Sequence, residues 1–173
     1  RIRMAEAELF SGGVSSAKAS CQFLRKTEDP PGTVWTPPGW DVPMPQDIAP
    51  PDPSTTPMGR MWATRNIGGG FGIQGPRRMW MSEVRELVAG QALTPFQRVA
   101  VASDFCSPFA NASFDQGLGY INTDVTVYIS RLPVGEWIGF ESVNHHSAEG
   151  VAIGTCWLHD VDGPIGTASC AAL

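Results

Sequence analysis

One carboxylate, Asp104, lies within a segment of apolar and small residues whose spacing is typical of a helix. The helix is predicted to begin at Thr94, which can cap its first turn while Gln97 completes a capping box, with Pro95 at the first helical position. Burying a charge without a partner is costly, so a carboxylate in such a helix is exposed, hydrogen-bonded for structure, or retained for chemistry. Asp104 is therefore a candidate general base, with a surface or capping carboxylate as the alternative.

Cysteine and histidine side chains could support a second mechanism, nucleophilic catalysis. The chain has four cysteines, Cys21, Cys106, Cys156 and Cys170. A pair formed by Cys106 or Cys170 with His145 or His146 could act as a nucleophile and its base, although no spacing in the sequence enforces such a contact. Without a CxxC pair or a histidine at zinc-finger spacing, the pattern predicts neither a metal site nor a disulfide framework. It favours small buried thiols in a reducing compartment.

Gly70, Gly72 and Gly75 form a GxGxxG pattern, which precedes the helix of many dinucleotide sites. Here Pro76 follows the third glycine, and the next segment has the pattern of a strand. The glycines therefore indicate a turn, and no cofactor is predicted.

Composition places the chain among globular proteins. Of its 173 residues, 42% are hydrophobic and 17% are charged. A chain of this length and composition can form one domain with a hydrophobic core. The net charge of −5 argues against a nucleic acid partner but not against an anionic small molecule. No apolar run is long enough for a membrane span, and no basic and then apolar leader is present. These features favour a soluble, cytoplasmic protein.

A proline-rich segment divides the sequence, since residues 27–58 hold ten of the fifteen prolines. Such a segment can neither continue a helix nor pair inside a sheet, so it is predicted to be a linker. Trp35 and Trp40 could anchor it to a neighbouring surface, which favours a strap. A mobile loop with exposed tryptophans is the alternative.

Strand and helix patterns flank this linker. Met4–Phe10 and Val14–Arg25 predict a hairpin, which alone is marginal in water, so residues 1–26 are expected to belong to a domain that is mostly absent from this sequence. Residues 59–173 are expected to form one α+β domain, a central helix against a curved antiparallel sheet. Its predicted strands are Met61–Ile67, Arg78–Glu86, Tyr120–Arg131, Trp137–His145, Gly150–His159 and Ile165–Leu173.

Five short strings of this domain occur in the order and spacing of a known family. They are Leu93-Thr94-Pro95, Val101-Ala102-Ser103-Asp104-Phe105, Ile121-Asn122-Thr123-Asp124-Val125-Thr126-Val127, Arg131-Leu132-Pro133-Val134-Gly135-Glu136-Trp137 and Asp162-Gly163-Pro164-Ile165-Gly166. With them, residues 59–173 resemble the C-terminal hotdog of the double-hotdog acyl-CoA thioesterases, the type II (TesB-like) enzymes. The resemblance implies that residues 1–26 are the last two strands of an incomplete first hotdog and that residues 27–58 connect the two.

The resemblance also implies a site. In that family a carboxylate on the hotdog helix, a threonine on the following strand and a glutamine on the last strand position a water that attacks the thioester. The corresponding residues here are Asp104, Asn122 and Cys170. An asparagine amide can still hold a water, whereas a thiol is a weak donor and a weak acceptor.

The function that the resemblance implies is hydrolysis of a fatty acyl-CoA to a free acid and coenzyme A, by a homodimer of double-hotdog chains without a cofactor or metal. Because Cys170 departs from the family pattern, a catalytically degenerate hotdog that binds acyl-CoA or another lipid-like ligand is the alternative. Phe105, Phe109 and Phe114 are expected to line the acyl channel.

Overall fold

The computed structural model of the protein describes residues 1–37, 39–52, 61–70, 73–113 and 115–173. They belong to two compact units, Arg1–Pro37 and Pro38–Leu173. The boundary between the two units falls within residues 27–58, the predicted linker. None of the described helices is long and apolar enough to cross a membrane.

The first unit contains the predicted hairpin. Strand β1 (Ile2–Ser11) pairs antiparallel with β2 (Val14–Leu24). Gly12 and Gly13 form the turn with φ of 59° and 82°, a left-handed backbone that glycine adopts without a steric penalty. Almost every side chain of the two strands is exposed, in agreement with the expectation that such a hairpin has no core of its own.

The second unit is built on a six-stranded antiparallel sheet with the strand order β3-β4-β6-β7-β8-β5. The strands are β3 (Trp62–Gly70), β4 (Ile73–Glu83), β5 (Thr126–Ile129), β6 (Ile138–Ala148), β7 (Val151–Asp160) and β8 (Gly163–Ala172). The GxGxxG glycines fall in the β3–β4 hairpin and not before a helix, although Gly72 lies outside the described residues. Gly70 is the last residue of β3 and Gly75 lies within β4, so the prediction that a strand and not a helix follows the pattern is confirmed.

Strand β5 is shorter than predicted. The chain before it does run beside β8, where Ile121 exchanges backbone hydrogen bonds of 2.7 and 2.9 Å with Leu173. The ladder is then interrupted, because the Asp124 carboxylate accepts from the N–H of Ala171 (2.7 Å) in place of a backbone carbonyl. Regular pairing with β8 resumes only over the four residues of β5.

The predicted helix is present in two consecutive pieces, α1 (Pro95–Ser103) and α2 (Cys106–Asn111). The capping box is confirmed, since the N–H of Gln97 donates to the Thr94 hydroxyl while the N–H of Thr94 donates to the Gln97 side chain. Pro108 explains the division. It has no N–H to donate to the carbonyl of Asp104, four residues earlier, and its ring crowds that carbonyl. Asp104 is therefore the C-cap residue that follows α1 and not, as the sequence predicted, a residue inside a continuous helix.

The helices cover one face of the sheet, with α1 against β4 and β6 and α2 against β6, β7 and β8. Large buried side chains fill the interface, among them Met81, Phe140, Leu158 and Ile165. Gly154 on β7 lets α2 come close, because a Cβ there would lie 2.5 Å from Oδ1 of Asn111. After α2, the buried Arg77 guanidinium donates to the carbonyls of Phe109 and Ala112 (both 2.8 Å), two groups that a helix end leaves unsatisfied. The predicted α+β architecture is confirmed.

The proline-rich segment of the second unit forms the predicted strap. The Trp40 ring stacks on His159 with ring centroids 4.1 Å apart and packs edge-on against Trp80. The indole N–H of Trp80 donates to a carbonyl of the strap (2.9 Å), and Gly139 leaves the space that the Trp40 ring fills. Trp40 thus anchors the strap. Trp35, which lies in the first unit, is 79% exposed and agrees with the alternative of an exposed tryptophan.

Candidate active site

The structure brings Asp104 and Asn122 together. Asp104 ends α1 with its side chain exposed, and Asn122 forms an isolated bridge with Ala172 of β8. From there the Asn122 Nδ2 donates to Asp104 Oδ1 over 3.3 Å. The end of α1 at Ser103 and the pairing of residue 122 with β8 together fix this contact.

The pair has the groups needed to hold and activate a water. Within the described residues, Oδ2 of Asp104 and Oδ1 of Asn122 accept no hydrogen bond, so both oxygens remain available to a solvent molecule. A water that donates to both would place its oxygen beside a carboxylate, the usual arrangement of a general base and its water.

Cys170 does not join this pair. Its side chain is 2% exposed, and its sulfur accepts from Nδ2 of Asn111 (3.5 Å) and donates to the carbonyl of Gly154 (3.8 Å). On β8, Ala172 is the residue that pairs with Asn122, and Cys170 lies two residues before it on the same face, roughly 7 Å along the strand. The structure therefore places two of the three predicted site residues together and the third in the interface between α2 and the sheet.

The prediction of small buried thiols is confirmed for Cys106, Cys156 and Cys170, whereas Cys21 is only partly buried. A hydrogen bond with Cys156, reinforced by burial, raises the pKa of the Cys106 thiol, and a hydrogen bond with Cys106, again with burial, raises the pKa of Cys170. Both thiols are therefore protonated near neutral pH, and a protonated thiol is a poor nucleophile.

A thiol and imidazole pair is also disfavoured by geometry. The Asn111 amide lies between the two groups, bonded to Cys170 through Nδ2 and to Nδ1 of His145 through Oδ1 (2.9 Å). His146 pairs with Ile153 and points to the opposite face of β6. No group of three residues among those described is arranged to bind a metal ion.

Asn111 and the cavity beside it were not predicted from the sequence. Asn111 is 3% exposed and, with Phe109 and His145, lines a cavity of about 500 Å³ at the end of α2. The one available signal was a polar residue at the end of an apolar helical run. Phe105 belongs to the core but does not line this cavity, and Phe114 lies outside the described residues.

The string that begins at Arg131 and the string that begins at Asp162 have structural roles. The guanidinium of Arg131 binds both oxygens of the fully buried Asp160, which also accepts from the N–H groups of Val134 and Asp162. Burial raises the pKa of Asp160, but these hydrogen bonds outweigh burial and hold the pKa below its usual value. The carboxylate ties the loop before β6 to the turn between β7 and β8.

Comparison with known families identifies the domain. A model of the acyl-CoA thioesterase C-terminal domain matches residues 29–171, which is most of the chain. No curated protein matches the chain.

Solved structures share the fold. A protein of unknown function with a hot dog fold from Alicyclobacillus acidocaldarius aligns with a TM-score of 0.72 and 16% identity over 99% of this chain and 66% of its own. An acyl-CoA thioesterase II from Mycobacterium marinum aligns with a TM-score of 0.61 and 13% identity over 99% of this chain and 68% of its own. The chain thus spans about two thirds of the length of these structures. Together, the family match and the fold show that the chain has the hotdog fold and belongs to the acyl-CoA thioesterase C-terminal domain family.

Proposed function

We propose that the protein hydrolyses a fatty acyl-CoA to a free acid and coenzyme A, with Asp104 as the general base and Asn122 as the residue that orients the attacking water. The observation that carries this proposal is the 3.3 Å hydrogen bond between the two side chains, which leaves one oxygen of each available to a water. Membership of the acyl-CoA thioesterase domain family supports the choice of a thioester as substrate.

The reaction follows from these groups. Oδ2 of Asp104 takes a proton from the water as its oxygen attacks the thioester carbonyl, and Oδ1 of Asn122 accepts the second water hydrogen, which fixes the direction of attack. The tetrahedral intermediate then expels the coenzyme A thiolate. The protonated Asp104 returns the proton to that sulfur, so the carboxylate is regenerated and the products are an acid and a thiol.

The test is the release of free thiol from a series of acyl-CoAs of different lengths, followed with a thiol reagent in the presence of the intact protein. We expect release well above the rate without protein for at least one chain length. The absence of release across the series would overturn the proposal.

A second candidate is an acyl-CoA-binding hotdog without turnover. The position of Cys170, away from Asp104 and Asn122, favours it, because no glutamine supports the water where the family has one. Calorimetry that detects acyl-CoA binding in a protein without thiol release would support this candidate, and the absence of binding would dispose of it.

The assembly and setting of the protein are part of the proposal. We propose a cytoplasmic homodimer of double-hotdog chains with a role in lipid metabolism, supported by the family and by three buried free thiols that suit a reducing compartment. Light scattering of the full-length chain checks the assembly, and a monomer would contradict it.

A further inference from the structure

Asn122 lies on the face of the sheet that the helices cover. It pairs with Ala172 of β8, which is 1% exposed, and its side chain donates to Asp104 at the end of α1. Residues directly opposite each other on two antiparallel strands project to the same face, so Asn122 shares the helix side with Ala172. The contact between Asn122 and Asp104 requires this orientation.

The following strand, β5, predicts the opposite orientation for residue 122. In β5, Val127 and Ile129 pack against the core, whereas Thr126 and Tyr128 are exposed. Side chains alternate between the two faces of a strand, so a regular strand would place residue 122 on the same face as residues 126 and 128. An uninterrupted strand would therefore direct Asn122 away from the helices.

A β-bulge between the two paired segments explains the difference. Asn122 pairs with Ala172 and Thr126 pairs with Ser169, so four steps along one strand lie opposite three steps along β8. One extra residue on one strand of an antiparallel pair is a β-bulge, and a shift of one residue turns the side chains beyond it to the other face. The bulge thus turns Asn122 from the exposed face toward the helices.

Asp124 lies in this bulge and bonds it to β8. The N–H of Thr123 donates to the carbonyl of Ala171 (2.8 Å), and in a regular hydrogen-bonded pair the N–H of Ala171 would donate back to the carbonyl of Thr123. It donates to Oδ1 of Asp124 over 2.7 Å. The carboxylate therefore takes the place of a backbone acceptor at the point where the extra residue leaves the ladder.

We propose that Asp124 is a positioning residue, whose bond to β8 holds the bulge that turns Asn122 toward Asp104. Without this acceptor, the preceding segment can pair in the register of β5, in which Thr123 takes the place of Asn122 on the helix side. The inference rests on the proposed function, because it takes the Asp104–Asn122 pair to hold the attacking water. It adds the residue that assembles this pair, and that residue acts through Asn122 and not on the substrate.

Crystal structures of the unaltered protein, Asp124→Ala and Asp124→Asn test the positioning without requiring catalysis. Asp124 is exposed, so neither substitution leaves a cavity in the core. Asparagine keeps an acceptor oxygen, so we expect Asn122 to remain bonded to Asp104 in Asp124→Asn, as in the unaltered protein. In Asp124→Ala we expect this contact to be lost. An intact contact in Asp124→Ala, or its loss in Asp124→Asn, would overturn the inference.

The kinetics of thiol release separate positioning from a general loss of stability. We expect Asp124→Ala to lower kcat by about 10² to 10³, the effect of losing one positioned polar group, with little change in KM. Asp124→Asn is expected to keep kcat, as is the control Asp115→Ala, which removes an exposed carboxylate from another loop. In an Asn122→Val background, Asp124→Ala should lower kcat no further, because its effect passes through residue 122.

An unchanged kcat in Asp124→Ala, or a further loss when it is combined with Asn122→Val, would also contradict the inference. If the unaltered protein releases no thiol, the proposed function fails, while the crystal structures still decide whether Asp124 holds Asn122 toward Asp104. Thiol release that depends on Asn122 but not on Asp124 overturns the inference alone.

Discussion

The side-chain amide of Asn111 donates a hydrogen bond to the sulfur of Cys170 over 3.5 Å, inside the interface between α2 and β8. Cys170 is therefore held by the helix that follows Asp104 and not by Asp104 itself. The family resemblance assigned Cys170 to the active site, whereas Asn111 was not assigned to any site. Because the two side chains are in contact, a substitution at residue 170 is expected to change the packing of α2 against the sheet.

Cys170→Gln is expected to destabilise the protein without raising hydrolysis. The longer side chain must enter a site that is 2% exposed and already filled by Asn111 and Gly154, and overpacking of this kind costs about 1–3 kcal/mol. Urea unfolding and thiol release measure the two effects. Cys170→Ala, which adds no volume, is the control for loss of the thiol. A clear gain in hydrolysis with glutamine would show that residue 170 supports the water after all.

Gly154→Ala is expected to destabilise the protein by about 1–3 kcal/mol or to displace α2. A Cβ at residue 154 would lie 2.5 Å from Asn111 Oδ1 and 2.7 Å from Ala110 Cβ, both closer than real contacts allow. Gly119→Ala is the matched control, because a Cβ there meets nothing within 4 Å. The free energy of unfolding of each variant is the measurement. Equal stability of the two would contradict the close approach of α2 to β7.

Unfolding is expected to become easier below pH 6.5 because of His159. The pKa of His159 is lowered from 6.5 to about 4, mainly by burial against Trp40. The positive charge of Arg78 also lowers this pKa, while the negative charge of Asp160 raises it and only partly offsets the effect of burial. Between these two values the unfolded chain binds a proton that the folded protein does not, so stability falls as pH decreases through this window. The loss between pH 7 and pH 5 is about 2 kcal/mol.

His159→Phe isolates this effect. Both ring nitrogens of His159 are buried without hydrogen-bond partners among the described residues, so phenylalanine keeps a ring against Trp40 and removes only the titrating group. Urea unfolding at pH 7 and pH 5 should show a smaller difference in the variant, by about 2 kcal/mol. The same pH dependence in both proteins would show that His159 is protonated without cost.

The sequence predicts the strands and the start of the helix well because these depend on local patterns. The strand pattern of Gly150–His159 and the capping box of Thr94 and Gln97 are both local, and both are confirmed. The division of the helix was also present in the sequence, since Pro108 prevents the hydrogen bond to residue 104. It was missed because the apolar pattern continues through this position.

The contacts of Cys170 and Trp40 could not be predicted in the same way. Whether residue 170 or residue 172 lies opposite Asn122 depends on the register of a segment that pairs irregularly with β8. The strap depends on Gly139, whose missing side chain makes room for Trp40 from about one hundred residues earlier in the chain. Such long-range fits become visible only in three dimensions.

Asn122→Thr and Asn122→Val are expected to differ in hydrolysis although their side chains have nearly the same shape. Threonine can still hold the water through its hydroxyl, whereas valine cannot, and loss of one positioned polar group lowers the rate by about 10² to 10³. We therefore expect Asn122→Thr to keep most of the kcat and Asn122→Val to lose it. Similar rates in the two variants would remove Asn122 from the mechanism.

The most direct test of the proposed mechanism is the kcat/KM of Asp104→Asn for acyl-CoA hydrolysis, compared with the unaltered protein and with Asp47→Asn. Asp104 is exposed, so the substitution should leave folding intact, and Asp47 is an exposed carboxylate in the strap with no proposed role. Loss of the general base predicts a decrease of about 10² to 10⁴ in Asp104→Asn and no change in Asp47→Asn. Thiol release from Asp104→Asn at the rate of the unaltered protein would contradict the assignment of Asp104 as the base.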